Sequence, residues 1–375
     1  MRLLSDFRRC VILIYDMNYN INNMLDKEYL KNLLIAPSPS GNEILGTEVF
    51  KSFCESFGTY DRQDKIGNCY YRLGHGPLEI MLSAHIDEIA ARVQYISDDG
   101  MISFVRAGGI DKKVLPGSCV LVISESGKLI SGVIGKKPIH LEESEERNEV
   151  SSLESLKVDV GCSSKKEVID LGVNIGSWII QSRESINLEF GEHRLCGPGL
   201  DDKIGVFIVS EILKHLSTSD DKSWEDKYTI YFVSTVQEEV GLRGATIATQ
   251  LIKPDISIDF DVTFSTDGGI DVKKEELGDI VLGNGCVIEY GPDKSNRLAS
   301  IFKSIAEDLD QPVQYSVAGS GGTNTDAIQL YGGDCETMLI SIPNRNMHTP
   351  VEVCDYRDVT SAIKVVSKAI QDRCI

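Results

Sequence analysis

The amino-acid sequence predicts an α/β fold: an α/β/α sandwich with a mostly parallel central sheet, interrupted by a small β-rich insertion. Apolar β-type runs alternate with helical segments on both sides of a central stretch, and such alternation is typical of a parallel sheet covered by helices. Within that stretch, residues 91–190, short β-type runs and many glycines replace the alternation. A chain of 375 residues is long enough for a full core and a second, smaller domain.

These changes in character divide the chain into three parts. The predicted parts are an N-terminal extension at residues 1–23, a main α/β domain at residues 24–90 and 191–375, and an inserted β-rich domain at residues 91–190. We expect the extension to be disordered because it is rich in asparagine, and either Met17 or Met24 could be the true start.

Two helices and two strands are predicted before the insertion. A helix over residues 25–34 ends at the Pro/Ser/Gly cluster of residues 37–41, because proline and glycine do not continue a helix. A second helix is predicted at residues 42–57. Strands are predicted at residues 69–73 and 78–84.

The insertion contains short apolar runs at residues 118–124 and 129–134. We expect the apolar stretches within them, residues 120–123 and 130–134, to be exposed. The acidic segment that follows, residues 142–149, is expected to form a disordered tip, because like charges repel one another and are well solvated.

The alternation of helices and strands returns after Pro198. Residues 203–216 predict an amphipathic helix, because their apolar side chains recur near helical spacing. The remaining predicted elements are strands at residues 228–235, 256–263 and 336–342 and helices at residues 297–309 and 359–370.

The charge balance restricts the kinds of partner. With 38 lysines and arginines against 57 aspartates and glutamates, the formal net charge is −19. Nucleic acids and anionic membrane surfaces both attract basic segments, so neither kind of partner is expected. No segment approaches the ~20 apolar residues of a transmembrane helix.

The cysteines indicate the compartment. Ten of them are scattered along the chain without a CxxC pair, which is typical of buried, reduced thiols rather than of disulfides. The apolar run at residues 10–15 is too short for a signal peptide, and Asp6 and Asp16 flank it. We therefore predict a cytoplasmic protein.

Histidine or acidic residues follow apolar runs at five places. The first is His85-Ile86-Asp87-Glu88, and the others are residues 199–203, residues 236–241, residues 258–263 and His348. Ligands of parallel α/β sheets bind beyond the carboxyl ends of the strands, so we expect these clusters to converge. Two histidines and several carboxylates at strand ends are what a two-metal hydrolase needs.

Each cluster also has a simpler interpretation when it is taken alone. A His-x-Asp segment is about equally typical of a structural histidine, and Glu238-Glu239 of a solvated acidic turn. Asp261 is different, because an unpaired charge inside the apolar run of residues 256–264 would be costly. A ligand role is therefore favoured for Asp261.

Five ordered motifs resemble the glutamyl aminopeptidase family of dinuclear metallo-aminopeptidases, whose members include the tetrahedral (TET) aminopeptidases. The motifs are residues 84–89 (AHIDEI), 200–203 (LDDK), 235–245 (TVQEEVGLRGA), 261–263 (DVT) and 348–353 (HTPVEV). The resemblance implies a catalytic α/β domain and an inserted, β-barrel-like domain that gates the site and assembles the particle. The implied activity is removal of N-terminal residues from short peptides, in a homo-oligomer, most simply a dodecamer built from dimers.

The resemblance also implies roles for seven residues. The implied metal ligands are His85 for one ion, His348 for the other, Asp201 as the bridge between them, and Glu239 and Asp261, which each complete one site. The implied catalytic residues are Glu238, the general base, and Asp87, which orients His85. The cofactor would be two divalent ions per subunit, and these ligands suit Zn²⁺, Co²⁺ or Mn²⁺.

Several alternatives stay open at this point. Asp202, rather than Asp201, could bridge the metals. A related metallo-amidohydrolase, either a deacylase or a dipeptidase, is an alternative function, and a glycosidase or a non-catalytic scaffold is a more distant one. No residue of the sequence identifies the side-chain preference of the enzyme.

Three further predictions concern local geometry. Glu238 and Glu239 are expected on an extended strand end, where neighbouring side chains point to opposite sides. Residues 323–328 are expected to form a loop that lines the active site. His140 is expected to be a structural histidine or one that supports a ligand.

Overall fold

The computed structural model describes residues 25–143, 149–188, 190–268, 272–317 and 322–375. The predictions for the N-terminal extension and for most of the acidic segment fall outside these residues.

Helices and strands alternate over most of the chain, as the sequence predicts. The helices are α1 (Lys27–Ile35), α2 (Ile44–Cys54), α3 (Lys165–Asp170), α4 (Leu200–Thr218), α5 (Arg243–Ile252), α6 (Lys274–Leu277), α7 (Asn296–Asp308), α8 (Asn324–Tyr331) and α9 (Tyr356–Gln371). The first eight strands are β1 (Thr59–Gln63), β2 (Cys69–Gly74), β3 (Leu78–His85), β4 (Ala90–Ile96), β5 (Ile102–Ala107), β6 (Cys119–Ile123), β7 (Leu129–Ile134) and β8 (Val158–Asp159). The others are β9 (Trp178–Gln181), β10 (Arg194–Cys196), β11 (Tyr228–Thr235), β12 (Ile256–Phe264), β13 (Cys286–Tyr290), β14 (Val313–Val317), β15 (Glu336–Asn344) and β16 (Val353–Asp355).

The central sheet has eight strands in the order β1-β2-β11-β3-β12-β15-β13-β14. The pairings β11–β3, β3–β12, β12–β15 and β13–β14 are parallel, and the other three are antiparallel. Because the parallel strands β3, β11, β12 and β15 are neighbours, their carboxyl ends meet at one edge. Side chains that follow these strands are thereby brought close together.

Helices cover both faces of this sheet. Helices α1, α2, α4, α7 and α9 pack on one face in the largest apolar cluster, and α5 and α8 contribute to a smaller cluster on the other. Strand β3 contributes side chains to both clusters, because Ile80 and Leu82 lie in the first cluster and Met81 lies in the second. This alternation is the period of two that a strand imposes.

The central helix α4 is buried along most of its length. Asp201 and Asp202 have non-helical backbone angles, and Asp202 Oδ1 accepts a hydrogen bond from the Gly205 N–H at 3.0 Å. Asp202 therefore caps the regular part of the helix. The cap holds the start of α4 against the sheet, next to the parallel strand ends.

The insertion forms a closed barrel in the order β4-β5-β8-β7-β6-β9. Alternate residues of β6 and β7 fill its interior, including Val120, Val122 and Ile130. The expectation that residues 120–123 and 130–134 are exposed is therefore only half right, because one face of each strand is buried. The α/β sandwich with an inserted barrel is confirmed.

Some predicted element boundaries were wrong. The second helix was predicted at residues 42–57, but α2 spans only Ile44–Cys54. Residues 323–328, predicted as a loop, mostly belong to α8, whose Thr323–Asp326 capping box starts the helix. None of the helices in the described part of the chain is long and apolar enough to cross a membrane, and the nine cysteines in that part are free.

Candidate metal centre

The predicted site residues converge on one cavity of about 540 Å³. His85 ends β3, Asp201 lies at the start of α4 and Asp261 lies inside β12. Glu238 and Glu239 follow β11, and His348 follows β15. All six line the cavity, and Asp87 lies behind them, fully buried.

The Asp201 carboxylate lies between the two histidines. Its Oδ1 is 3.1 Å from His85 Nε2, and its Oδ2 is 3.1 Å from His348 Nε2. Each oxygen of one carboxylate thus meets a different imidazole, which is the arrangement that a bridging ligand requires. Asp202 points elsewhere, since one of its oxygens caps α4.

Both histidines are held by their other ring nitrogen. His85 Nδ1 lies 3.0 Å from the Asp87 carbonyl oxygen, and His348 Nδ1 lies 2.9 Å from the Gly109 carbonyl oxygen. A proton on each Nδ1 makes it the donor in these contacts and leaves each Nε2 free to bind a cation.

The remaining carboxylates lie on two sides of Asp201. Glu239 Oε1 is 3.2 Å from His348 Nε2, but it is not aligned for a hydrogen bond and is buried without another partner. Asp261 Oδ1 and Glu238 Oε2 are each 3.9 Å from His85 Nε2. Oxygen and nitrogen atoms of His85, Asp201 and Glu239 lie within 4.8 Å of one another, as do those of His85, Glu238 and Asp261.

Asp87 holds the neighbouring turn as well as the first histidine. Its two oxygens accept hydrogen bonds from the N–H groups of Glu238 and Glu239, at 3.0 and 3.2 Å, and Ser40 Oγ donates a third at 2.7 Å. The expectation of an extended strand end was wrong, because β11 ends at Thr235 and Gln237 has a φ of 58°. The two glutamates instead diverge from a turn that Asp87 fixes.

Burial and mutual repulsion dominate the electrostatics of this cluster. Burial raises the pKa of Glu238 to about 9, and the neighbouring Asp261 and Glu239 carboxylates add to the effect. Burial likewise raises the pKa of Asp261 to about 7. Although burial opposes protonation of His348, the Asp201 and Glu239 carboxylates raise its pKa to about 11.

These shifts have a common cause: negative charge is concentrated where little water can solvate it. A divalent cation would relieve the repulsion and satisfy the buried Glu239 oxygen. The donor set, imidazole nitrogens with carboxylate oxygens, also fits Zn²⁺, Co²⁺ or Mn²⁺. The residues present therefore fit a metal centre.

The sequence motifs contained one important residue whose part in the site was not predicted, Glu352. It is buried, and its carboxylate accepts hydrogen bonds from the Asp201 N–H at 3.0 Å and the His348 N–H at 2.9 Å. One side chain therefore ties together the two segments that carry the bridge and the second histidine. An acid four residues after His348, between two valines, was the available signal.

The insertion also contributes to the site, through the Gly109 carbonyl that holds His348. A Cβ at Gly109 would come within 2.9 Å of His348 Nδ1, so glycine permits this approach. A second contact with the insertion is the buried ion pair between Arg183 and Glu88, which Lys203 Nζ joins at 3.0 Å. His140, in contrast, is exposed and is not among the described residues that line the cavity.

Comparison with known proteins agrees with the fold. The profile of the M42 glutamyl aminopeptidase family matches residues 67–365, most of the chain. The chain belongs to the M42 glutamyl aminopeptidase family. A lysyl aminopeptidase of Pyrococcus furiosus is 31% identical to it over 354 residues, which cover 93% of this chain and 98% of the relative.

Solved structures of TET peptidases superpose on most of the molecule. A TET aminopeptidase from the marine sediment archaeon Thaumarchaeota archaeon SCGC AB-539-E09 has a TM-score of 0.84 at 28% identity and covers 92% of this chain and 96% of its own. The Pyrococcus horikoshii TET1 peptidase, described as assembling into a tetrahedron or a large octahedral shell, has a TM-score of 0.79 at 32% identity, with 91% and 98% covered.

Proposed function

We propose that this M42 family member is a metal-dependent aminopeptidase that removes N-terminal residues from short peptides. The observation that carries the proposal is the Asp201 carboxylate, whose two oxygens each lie 3.1 Å from the Nε2 of a different, anchored histidine. His85, Asp201 and Asp261 would hold one divalent ion, and Asp201, Glu239 and His348 the other. Two such ions, when bound, supply a water of lowered pKa and a polarised peptide carbonyl.

Glu238 is the proposed general base. Its carboxylate lies beside the His85–Asp261 pair and faces the same cavity. With the burial and repulsion around it offset by cations, Glu238 would ionise, accept a proton from the attacking water and return it to the leaving amine. Asp87 is the proposed positioning residue, because it holds both His85 and the N–H groups of the glutamate turn.

An aminopeptidase must recognise a free α-amine, and here the candidates are the Glu238 and Asp261 carboxylates. Acetylating the N-terminus of a cleavable peptide removes the positive charge that they would bind. We expect hydrolysis to fall by about 100-fold or more, because a buried polar site is then left without its partner. The measurement compares free and acetylated forms of one peptide by chromatography. Equal rates would instead support the deacylase or dipeptidase alternative.

Chelation separates the proposal from the metal-free alternatives. A glycosidase that used Glu238 with a second carboxylate as acid and base would keep its activity after the divalent ions are removed. The metallo-aminopeptidase should lose activity on aminoacyl fluorogenic substrates and regain it when Zn²⁺ or Co²⁺ is added back. Activity on polysaccharide that survives chelation would contradict the proposal.

The division of labour between the domains is also a proposal. Residues 24–90 and 191–375 would form the catalytic domain, and residues 91–190 the domain that gates the site and assembles the particle. On the outside of the barrel, Leu129 and Val133 are 37% and 48% exposed, and Val133 and Arg183 line a groove of about 620 Å³. A second copy of this chain is the proposed occupant of this groove.

The nine free cysteines of the described part suit the proposed cytoplasmic location.

We expect the purified protein to be a homo-oligomer built from dimers, most simply a dodecamer, that cleaves short unfolded peptides and excludes folded proteins. Light scattering gives the particle mass, and cleavage of a peptide length series gives the size limit for entry. A monomer that remains fully active at every metal concentration would contradict this assembly.

A further inference from the structure

The cavity extends well beyond the metal centre, along one face of the central sheet. Asp261 of β12 pairs with Ser341 of β15, and Ser341 pairs in turn with Val287 of β13. Glu289, two residues further along β13, pairs with Ser316 of β14. Paired residues, and residues two apart on a strand, share a face. Asp261, Ser341, Glu289 and Ser316 all line the cavity accordingly.

Glu289 is an acid at the far end of this cavity, and the described part of the chain places no cationic partner beside it. It is only 3% exposed, and Ser316 Oγ donates a hydrogen bond to its Oε2. Among the described residues, no lysine or arginine lies within ion-pair distance of it. A buried carboxylate is costly unless it is paired, and one hydroxyl compensates it only in part.

The cavity also contains a lysine, Lys294, whose charge is already paired with a neighbouring aspartate. Lys294 is the one lysine or arginine among the described residues that line the cavity. Its Nζ lies 2.8 Å from an Asp293 oxygen, and its side chain is only 6% exposed. The Lys294–Asp293 pair therefore adds no net charge, and Glu289 leaves this end of the cavity negative.

A second polar atom points to an occupant. Ser341 Oγ is fully buried and has no hydrogen-bond partner, yet Ser341 lines the cavity between Asp261 and Glu289. The apolar side chains of Leu339 and Val317 line the cavity near Ser341, and Leu339 lies on the same face of β15 as Ser341. An apolar passage that ends in a carboxylate suits a long aliphatic stem with a cationic head.

The distances agree with such a ligand. Adjacent strands are about 4.8 Å apart and each residue rises about 3.3 Å, so Glu289, two strands across and two residues along from Asp261, has its Cα roughly 12 Å away. A substrate held at the metal centre by its scissile carbonyl would direct its first side chain along the cavity. The four-carbon stem of lysine spans roughly 6 Å, and the Glu289 side chain covers much of the remainder.

We propose that Glu289 is a specificity-determining residue that selects peptides whose N-terminal residue carries a long cationic side chain, lysine or arginine. This inference rests on the proposed aminopeptidase function and adds the substrate class of the same site. The names of the relatives do not decide the preference, since the family is named for glutamyl substrates and the Pyrococcus furiosus relative for lysyl ones.

The test uses two substrates that differ only in charge. Lysyl and norleucyl fluorogenic amides have the same four-carbon stem, and only lysine has the ammonium group. With the metal-loaded full chain, we expect kcat/KM for the lysyl amide to exceed that for the norleucyl amide by roughly 10-fold to 100-fold, the value of one charge-assisted hydrogen bond. Glutamyl and leucyl amides complete the panel.

The variant Glu289→Gln keeps the volume of the side chain and the contact with Ser316 but removes the charge. It should bring the lysyl-to-norleucyl ratio close to one by lowering kcat/KM for the lysyl amide, and an unchanged Tm of the metal-loaded variant shows that the protein is folded. The matched control is Glu275→Gln, an exposed acid on α6 that does not line the cavity. It has the same change in net charge and should keep the wild-type ratio.

The outcomes are distinguishable. A wild-type ratio near one, or a ratio that Glu289→Gln does not change, overturns the role of Glu289 but leaves the aminopeptidase intact. A preference for the glutamyl amide overturns it as well and would assign the cavity to Lys294. If no aminoacyl amide is cleaved after metal loading, the proposed function fails and the substrate class fails with it.

Discussion

Replacing Glu238 with glutamine is expected to lower turnover by about 10²-fold to 10⁴-fold while the protein keeps its full complement of metal. The amide cannot accept the proton of the attacking water. The backbone of the turn should not change, because Asp87 binds the N–H groups of Glu238 and Glu239 and not their side chains. Elemental analysis and steady-state kinetics on the same sample measure both quantities.

The comparison variants for this experiment are Asp261→Ala and His348→Ala. Both remove a proposed ligand, so each should lower metal occupancy as well as turnover. The comparison tests whether Glu238 is a base or a ligand. Its position alone allows both roles, because the oxygen and nitrogen atoms of His85, Glu238 and Asp261 lie within 4.8 Å of one another. A metal-free Glu238→Gln protein would show that Glu238 is a ligand and that the roles of the two glutamates must be exchanged.

Removing the divalent ions is expected to abolish activity and to destabilise the fold more strongly as the pH rises. In the ion-free site, burial raises the pKa of Asp261 to about 7 and that of Glu238 to about 9, and nearby carboxylates raise the pKa of His348 to about 11 against the effect of burial. A group whose pKa is raised by folding stabilises the fold below its unfolded pKa and loses that contribution as the pH rises through its folded pKa.

The signs of these contributions agree. From about pH 4 to pH 9 the ion-free folded chain holds more protons at these groups than the unfolded chain, so its stability should fall with rising pH. Asp201, whose pKa the two histidines lower against the effect of burial, contributes in the opposite sense, but only below about pH 4. Bound cations take the place of these protons. The stabilisation by the cations therefore increases as the groups lose their protons with rising pH.

Thermal unfolding with and without chelator, at pH 5.5 and pH 8.5, measures this dependence. The difference in Tm between the metal-loaded and ion-free protein should be larger at pH 8.5. Adding Zn²⁺ or Co²⁺ back to the chelated sample should restore both Tm and activity. A difference in Tm that stays constant, or that narrows with pH, would be incompatible with a centre whose acids are crowded in the absence of cations.

The sequence could predict the fold and the convergence of the site because both depend on local patterns. Apolar runs define the strands, and side chains that follow neighbouring parallel strands must meet at one edge. His85 and Glu238 are placed in this way. Asp261 was predicted inside the strand at residues 256–263 and lies inside β12, so the argument from a buried charge applies to it.

The sequence could not predict the supporting contacts, because they depend on the backbone and on topology. Gly109 holds His348 through its backbone carbonyl, a group that every residue possesses, so the sequence does not mark it as a partner of His348. The positive φ of Gln237 turns the chain after β11 and replaces the extended geometry that was expected. Glu289 is one acid in an apolar strand, and only the order of β12, β15 and β13 shows that it faces the same cavity as Asp261.

The contacts of Gly109 with His348 and of Arg183 with Glu88 limit how this protein can be redesigned. If the chain were shortened by joining residue 89 to residue 191, the excised module would take Gly109 and Arg183 with it. The imidazole of His348 would lose the acceptor that fixes its tautomer. Among the residues that the structure describes, Glu88 would keep only Lys203 as a cationic partner in a buried position. A minimal enzyme built on this scaffold therefore needs substitutes for both groups, and the barrel cannot be exchanged as a passive spacer.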